Sequence, residues 1–334
     1  MGRFTSILSS DLASAGFQPP LLPPRALYPT SDGGGRVVER IQPDDGGPCA
    51  AAIVGLPFDA AIPTRPGARR GPDAFRTALT RFSADQGSSQ WPVGSRITDL
   101  GDVDLRNLGV ADAHDRVVRV LSGVLDRVDC LIAIGGDQSL SFPVFRALVD
   151  ARGGSWGLIS LDAHHDVRPY SRDSISSGTS MRRALELEAL SPKQLIQIGI
   201  RPFANSAVHR AWCEERGVGV YDVATVRARG IGQVAQEALE RATLKADRLY
   251  VSVDLDVIDQ AQAPGTSAAG PGGLSVSEVL QALDVWASSP IFYGGDIMEL
   301  SPRWDWGDET AQVAARAFLA IASARWPVVI DKAV

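Results

Sequence analysis

The sequence predicts an α/β fold, a three-layer α/β/α sandwich around a mostly parallel sheet. Short apolar runs rich in β-branched residues recur from residue 51 onward, helical patterns fill the gaps between them, and polar clusters close several of the runs. Strand and helix alternating with right-handed crossovers make parallel neighbours, and such sheets gather functional groups at the carboxyl ends of their strands.

Residues 1–48 hold Pro19-Pro20, Pro23-Pro24 and Gly33-Gly34-Gly35 with little apolar periodicity. A stretch of that kind buries too little surface to order itself, so an irregular N-terminal arm is expected there. Residues 49–334 show no internal repeat and no linker, and read as one domain. Within it the runs at 51–55, 131–135, 156–161, 195–200 and 249–253 are almost continuously apolar, as strands covered on both faces are. Val117, Leu121, Val124 and Val128, spaced by four, three and four, put one apolar stripe on a helix that leads into the strand at Leu131.

Composition narrows the function classes. A hydrophobic fraction of 45% and a charged fraction of 22% describe an ordinary globular chain. The net charge of −6 leaves no basic footprint for nucleic acid or anionic lipid, and no apolar run is long enough to span a membrane. Cys49, Cys130 and Cys213 lie too far apart for a zinc knuckle, and their odd number gives no disulfide framework; a reducing cytoplasm is the expected compartment. Of the 4 histidines, His164 and His165 are adjacent and flanked by carboxylates, which makes them the first place to look for chemistry.

Four polar clusters fall where strands end: Gly135-Gly136-Asp137-Gln138-Ser139, Asp162-Ala163-His164-His165-Asp166, Asp254-Leu255-Asp256 and Gly294-Gly295-Asp296-Ile297-Met298-Glu299. Alternate residues of an extended strand share a face, so Asp254 and Asp256 are expected to point at one site while Val253 and Leu255 pack away from it. Asp162 and His164 share a face in the same way, and a bend past His165 would return Asp166 to the same point. An aspartate at a strand end is commonly a helix N-cap, and any one of these alone reads that way. Together they form a set of hard oxygen donors with one imidazole, which suits Mn²⁺ or a similar divalent ion. Carboxylates crowded into one buried pocket repel unless cations balance them, and two divalent ions would do so.

Beyond these clusters stand Gly55-Leu56-Pro57-Phe58-Asp59, Arg65-Pro66-Gly67-Ala68-Arg69, Asp99-Leu100-Gly101-Asp102, Ala263-Pro264-Gly265-Thr266 and Glu299-Leu300-Ser301-Pro302. With them, from about Gly55 onward, the chain resembles the ureohydrolase family of arginase, agmatinase and formimidoylglutamase. The resemblance implies an arginase-like sandwich and a two-manganese centre in which Asp162 and Asp254 bridge, Asp166 holds one ion, and His164 with Asp256 holds the other. It also implies that Glu299 pairs with a cationic amidine or guanidine, and that chains associate as trimers or hexamers.

Two positions depart from the family pattern. Gln138 stands where a histidine is the usual terminal ligand of the first metal, so that ion is expected to bind more weakly. Ser176-Ser177-Gly178-Thr179 replaces a stretch in which arginases and agmatinases carry a histidine before the glycine. Arg168, two residues past Asp166, and Ser177 are more like formimidoylglutamase, with Arg168 a candidate clamp for a substrate carboxylate. Met181-Arg182-Arg183-Ala184 is more like agmatinase. The expected activity is therefore hydrolysis of a linear amidine C–N bond, formimidoyl-L-glutamate to glutamate and formamide. Asp166 would act as the proton carrier and Glu299 as the cation-binding group. A guanidino hydrolase releasing urea and a metal-poor, non-catalytic family member are the alternatives.

Overall fold

The computed structural model describes residues 16–18, 35–62, 64–86, 89–90 and 96–326. In chain order its strands are β1 (Phe17–Gln18), β2 (Ile41–Pro43), β3 (Cys49–Leu56), β4 (Asp85–Gln86), β5 (Ser89–Gln90), β6 (Ile97–Val103), β7 (Val128–Gly135), β8 (Trp156–Leu161), β9 (Leu190–Ile200), β10 (Gly219–Asp222), β11 (Arg248–Asp254) and β12 (Phe292–Met298). The helices are α1 (Gly71–Leu79), α2 (Val110–Ser122), α3 (Ser141–Arg152), α4 (Ser180–Ala184), α5 (Ala207–Arg216), α6 (Val223–Arg229), α7 (Ile231–Thr243), α8 (Val276–Ala287) and α9 (Glu309–Arg325).

One ten-stranded sheet runs in the order β1-β6-β3-β7-β12-β11-β8-β9-β10, with β2 also on β6 and every pairing but that of β1 parallel. The order explains where a site can form. β7, β12, β11 and β8 are consecutive neighbours, so the four chain segments that leave their carboxyl ends emerge side by side. Those are the segments that carry the four polar clusters.

The continuous apolarity of the strands has the expected cause. In β7, Cys130, Ile132 and Ile134 pack with α1 and α6 to α9, while Leu131 and Ala133 pack with α2 to α5. Each central strand thus feeds two cores, one on each face of the sheet, and the three-layer sandwich follows.

Three local expectations change. The stripe through Val117 and Leu121 does not continue to Val128, because α2 stops at Ser122, Val124 precedes a 3-10 turn, and Val128 opens β7 opposite Cys49. Strand registry there outweighs a helical spacing that crosses Gly123, a poor helix residue. Gly294, Gly295 and Asp296 lie inside β12 and not after it, with Glu299 the first residue beyond its end. The stretch before residue 49 is not irregular throughout: β2 and β1 divide the outer edge of β6 between them, and Phe17, Val37 and Val38 are buried. Residues 1–15 and 19–34 of that arm lie outside the described residues.

Helix α1 is tied to the sheet by charge. Arg76, 3% exposed, meets Asp99 through two nitrogens at 2.8 and 2.9 Å and Asp102 at 2.7 Å. Removing the cation leaves two carboxylates facing an apolar helix, so Arg76→Met is expected to cost about 3–5 kcal/mol. Urea unfolding of the full chain measures it, and a loss below about 1 kcal/mol would mean that the carboxylates find water.

Candidate metal centre

Each cluster reaches the pocket by its own local device. After β8, the chain turns at Asp162, whose Oδ1 accepts the His164 N–H at 2.6 Å. Asn205 holds the loop from behind, accepting from the His165 N–H at 2.9 Å and donating to the Ala163 carbonyl at 2.8 Å. Asp166 takes φ +53, a conformation that aspartate tolerates better than most residues, and the bend returns its carboxylate to the pocket, where Ser180 Oγ donates to Oδ2 at 3.1 Å.

Asp254 and Asp256 do converge, but not through strand alternation. β11 ends at Asp254, which caps the short 3-10 turn Leu255–Val257 by accepting the Asp256 N–H at 2.8 Å. A cap and a turn do here what a pleat was expected to do.

At the end of β7, Gly136 passes so close to β3 that a Cβ there would sit 2.0 Å from the Phe58 carbonyl oxygen and 2.6 Å from that of Leu56. Only glycine fits that approach. The chain beyond is aimed by Asp137, which accepts from Ser139 N–H at 3.0 Å and Ala61 N–H at 3.1 Å.

A cavity of about 310 Å³ is lined by Gln138, His164, Asp166, Arg168, Ser177, Asp254, Asp256 and Glu299. These are the residues singled out from sequence, Asp162 excepted, which is fully buried beneath. Asp162, His164 and Asp256 form the tight group, with one donor atom from each lying within 4.8 Å of the others. His164 Nδ1 is 3.0 Å from Asp256 and 3.4 Å from Asp162. Asp166, Asp254 and Gln138 face the same cavity outside that group.

The electrostatics describe a pocket short of positive charge. Burial pushes Asp162 up to about 6 and, with the like charges beside them, raises Asp166 and Asp254 well above the carboxylate range. The charge of Asp256 pushes His164 up to about 12. Asp162 Oδ2 is buried without a hydrogen-bond partner. Crowded buried carboxylates, an imidazole beside them and an orphaned oxygen together fit a divalent ion of the Mn²⁺ type.

A model described as the arginase family matches residues 49–323. The chain belongs to that family. It is 34% identical over 270 residues to the formimidoylglutamase of Halalkalibacterium halodurans, covering 80% of this chain and 84% of the relative. The crystal structure of Bacillus subtilis formimidoylglutamase superposes with a TM-score of 0.84 at 30% identity, over 89% of this chain and 93% of that one. Trypanosoma cruzi formiminoglutamase, solved with Mn²⁺, gives 0.76 at 26% identity over 83% and 93%. No helix among the described residues is long and apolar enough to cross a membrane.

Several residues in or behind the pocket escaped sequence reasoning. Ser141 and Ser252 hold the Gln138 carboxamide at 3.3 and 3.2 Å, Ser267 donates to Glu299, and His209 lines the cavity. Serines carry no spacing signal, and His209, on an amphipathic helix, reads as surface.

A cation that fills this pocket stabilises the fold by mass action. At a Mn²⁺ concentration about 100 times its Kd the gain is about 2.7 kcal/mol, read as a rise in Tm. In Asp256→Ala the rise is expected to shrink to within error, and in Gln138→His to appear at lower Mn²⁺. Equal shifts in all three chains would place the ion elsewhere.

Proposed function

We propose that the chain is a formimidoylglutamase, hydrolysing formimidoyl-L-glutamate to glutamate and formamide. The observation that carries it is an exposed arginine and a buried acid lining one pocket. Arg168 stands exposed at the rim, and Glu299, 1% exposed, lies at the floor. The substrate has the matching polarity, carboxylates at one end and a protonatable amidine at the other. The relatives named above support the same substrate.

Glu299 is prepared for a cation. Burial first, and the nearby Asp137 charge next, push it up to about 8, while its Oε1 accepts the Gln138 N–H at 2.8 Å and its Oε2 accepts from Ser267. An amidinium arriving beside it favours the ionised form and receives a planar, two-oxygen partner. Arg168 lies across Gly178, where any Cβ would come within 2.8 Å of its Cδ and Nε. That glycine leaves room for the Arg168 side chain beside the Ser177 segment, where its guanidinium would be available to a substrate carboxylate.

Gln138, Asp162, His164, Asp166, Asp254 and Asp256 would hold two divalent ions, and the chemistry such ions supply is the acidification of a water toward neutrality. In the hydrolysis that water's oxygen joins the formimino carbon and the C–N bond to glutamate breaks. Asp166, whose Oδ2 accepts from Ser180, would take a proton from the attacking oxygen and deliver it to the leaving nitrogen. Two ions at the weak and strong sites, a cytoplasmic setting and a homo-oligomer, trimeric or hexameric, complete the reading.

The deciding experiment is glutamate and formamide release from formimidoyl-L-glutamate by Mn²⁺-loaded protein, with agmatine, arginine and guanidinobutyrate assayed for urea. Turnover of the formimino compound alone is expected. Urea from a guanidino compound with no formimino activity would transfer the chain to the agmatinase-like reading, and silence on all of them would favour the non-catalytic one. In Arg168→Ala, losing charge-assisted bonds to a carboxylate is expected to raise KM roughly 10- to 100-fold and leave kcat nearly unchanged. An unchanged KM would show that Arg168 does not touch the substrate.

A further inference from the structure

A buried chain of hydrogen bonds runs behind the pocket, and no step above uses it. At its centre is His114 on α2, 2% exposed. Its Nε2 lies 2.9 Å from Ser139 Oγ, and its Nδ1 lies 2.6 Å from Arg183 Nη1. Elementary donor counting fixes every direction. A guanidinium only donates, so His114 Nδ1 accepts. The single hydroxyl proton of Ser139 goes to Asp137 Oδ1, 2.5 Å away. The remaining contact is then His114 Nε2–H donating to Ser139 Oγ. The imidazole is neutral and locked in one tautomer from both sides, in line with burial and the Arg183 charge, which push it down to about 3.

The two ends of this chain are anchored in different parts of the site. Asp137 and Ser139 flank Gln138, whose own N–H reaches Glu299 at 2.8 Å. Arg183 sits three residues beyond Ser180 on α4, and Ser180 holds the carboxylate of Asp166. The guanidinium also lies 3.9 Å from the ring centre of Phe142, at the start of α3. His114 is therefore a bridge between the turn that presents Gln138 and the helix that steadies Asp166.

We propose that His114 is a positioning residue that keeps Gln138 and Asp166, the two terminal donors to one cation, at a fixed separation by joining Ser139 to Arg183. This rests on the reading of Gln138 and Asp166 as ligands of the same ion. A neutral carboxamide binds a divalent ion weakly, so that ion's affinity depends on donors already in place. The hydrogen bonds of His114 go to Ser139 and Arg183, so it acts through the turn and the helix it connects.

The test is Mn²⁺ binding to the full chain, followed by electron paramagnetic resonance and calorimetry, for wild type, His114→Leu, His114→Gln and Ser139→Ala. KM and kcat are measured alongside on whichever formimino or guanidino compound the wild type turns over. In His114→Leu the looser of two Mn²⁺ steps is expected to weaken about 10- to 100-fold, the scale for losing a partner behind a metal ligand, with the tighter step unmoved. His114→Gln, whose amide can both donate to Ser139 and accept from Arg183, is expected to return to within about threefold of wild type. Ser139→Ala should reproduce the leucine result, and carries the test if His114→Leu does not fold. A looser step unchanged in His114→Leu or Ser139→Ala, with only Tm lowered, reduces His114 to a packing residue and overturns the proposal. A wild type that binds fewer than two Mn²⁺ overturns the ligand reading itself, before any variant is compared.

Discussion

The structure depends on one electrostatic demand. Asp166, Asp254, Asp256 and Glu299 line one pocket with Asp162 beneath them, each 9% exposed or less, and like charges buried so close repel unless cations balance them. Burying that many like charges would unfold an ordinary core. Here the cost is localised at the carboxyl ends of β7, β12, β11 and β8, where the backbone turns away from the sheet and side chains from four segments converge without disturbing either apolar layer. The two cores beneath, with Arg76 and its carboxylates fastening α1, make the rigid floor that holds repelling groups at close range.

Most of the fold was legible because a strand buried on both faces leaves a simple trace. The runs at 51–55, 131–135, 156–161, 195–200 and 249–253 all lie within strands, since a parallel sheet covered on both faces asks for such continuous apolarity. Less legible were the segments whose state is decided by a neighbour. Val128 fits a helical stripe by spacing, yet it is a strand residue because Cys49 stands beside it. Phe17 and Gln18 sit in a proline-rich arm and still pair with Val103 and Asp102, because the edge of β6 offers free backbone groups there.

The site shows the same division. Acidic side chains that meet in one place announce themselves by their clustering, and the pocket gathers the residues named for it. The means of convergence were invisible: Asp256 arrives by a capped 3-10 turn, Asp166 by a left-handed residue, and the turn bearing Gln138 by a glycine pressed on two carbonyl oxygens. His114, Ser139 and Arg183 lie far apart along the chain, and no pattern in sequence joins them. Their link exists only once α2, the β7 turn and α4 are packed together.

Gln138 need not be read as a lost histidine. Its Nε2 donates to Ser252 Oγ at 3.2 Å, and that hydroxyl donates in turn to Asp296 Oδ1 at 2.8 Å, whose other oxygen accepts from Tyr250. The amide's donor end is thus tied to a buried chain ending in a carboxylate that burial pushes up to about 6. What remains is the carbonyl oxygen, which takes one bond from Ser141 at 3.3 Å and keeps a lone pair for the cavity. An imidazole ligand is commonly oriented by a partner behind it, and Ser252 and Ser141 orient this carboxamide in the same manner. The supporting residues suit glutamine, so the departure at this position is accommodated by the buried polar groups around it.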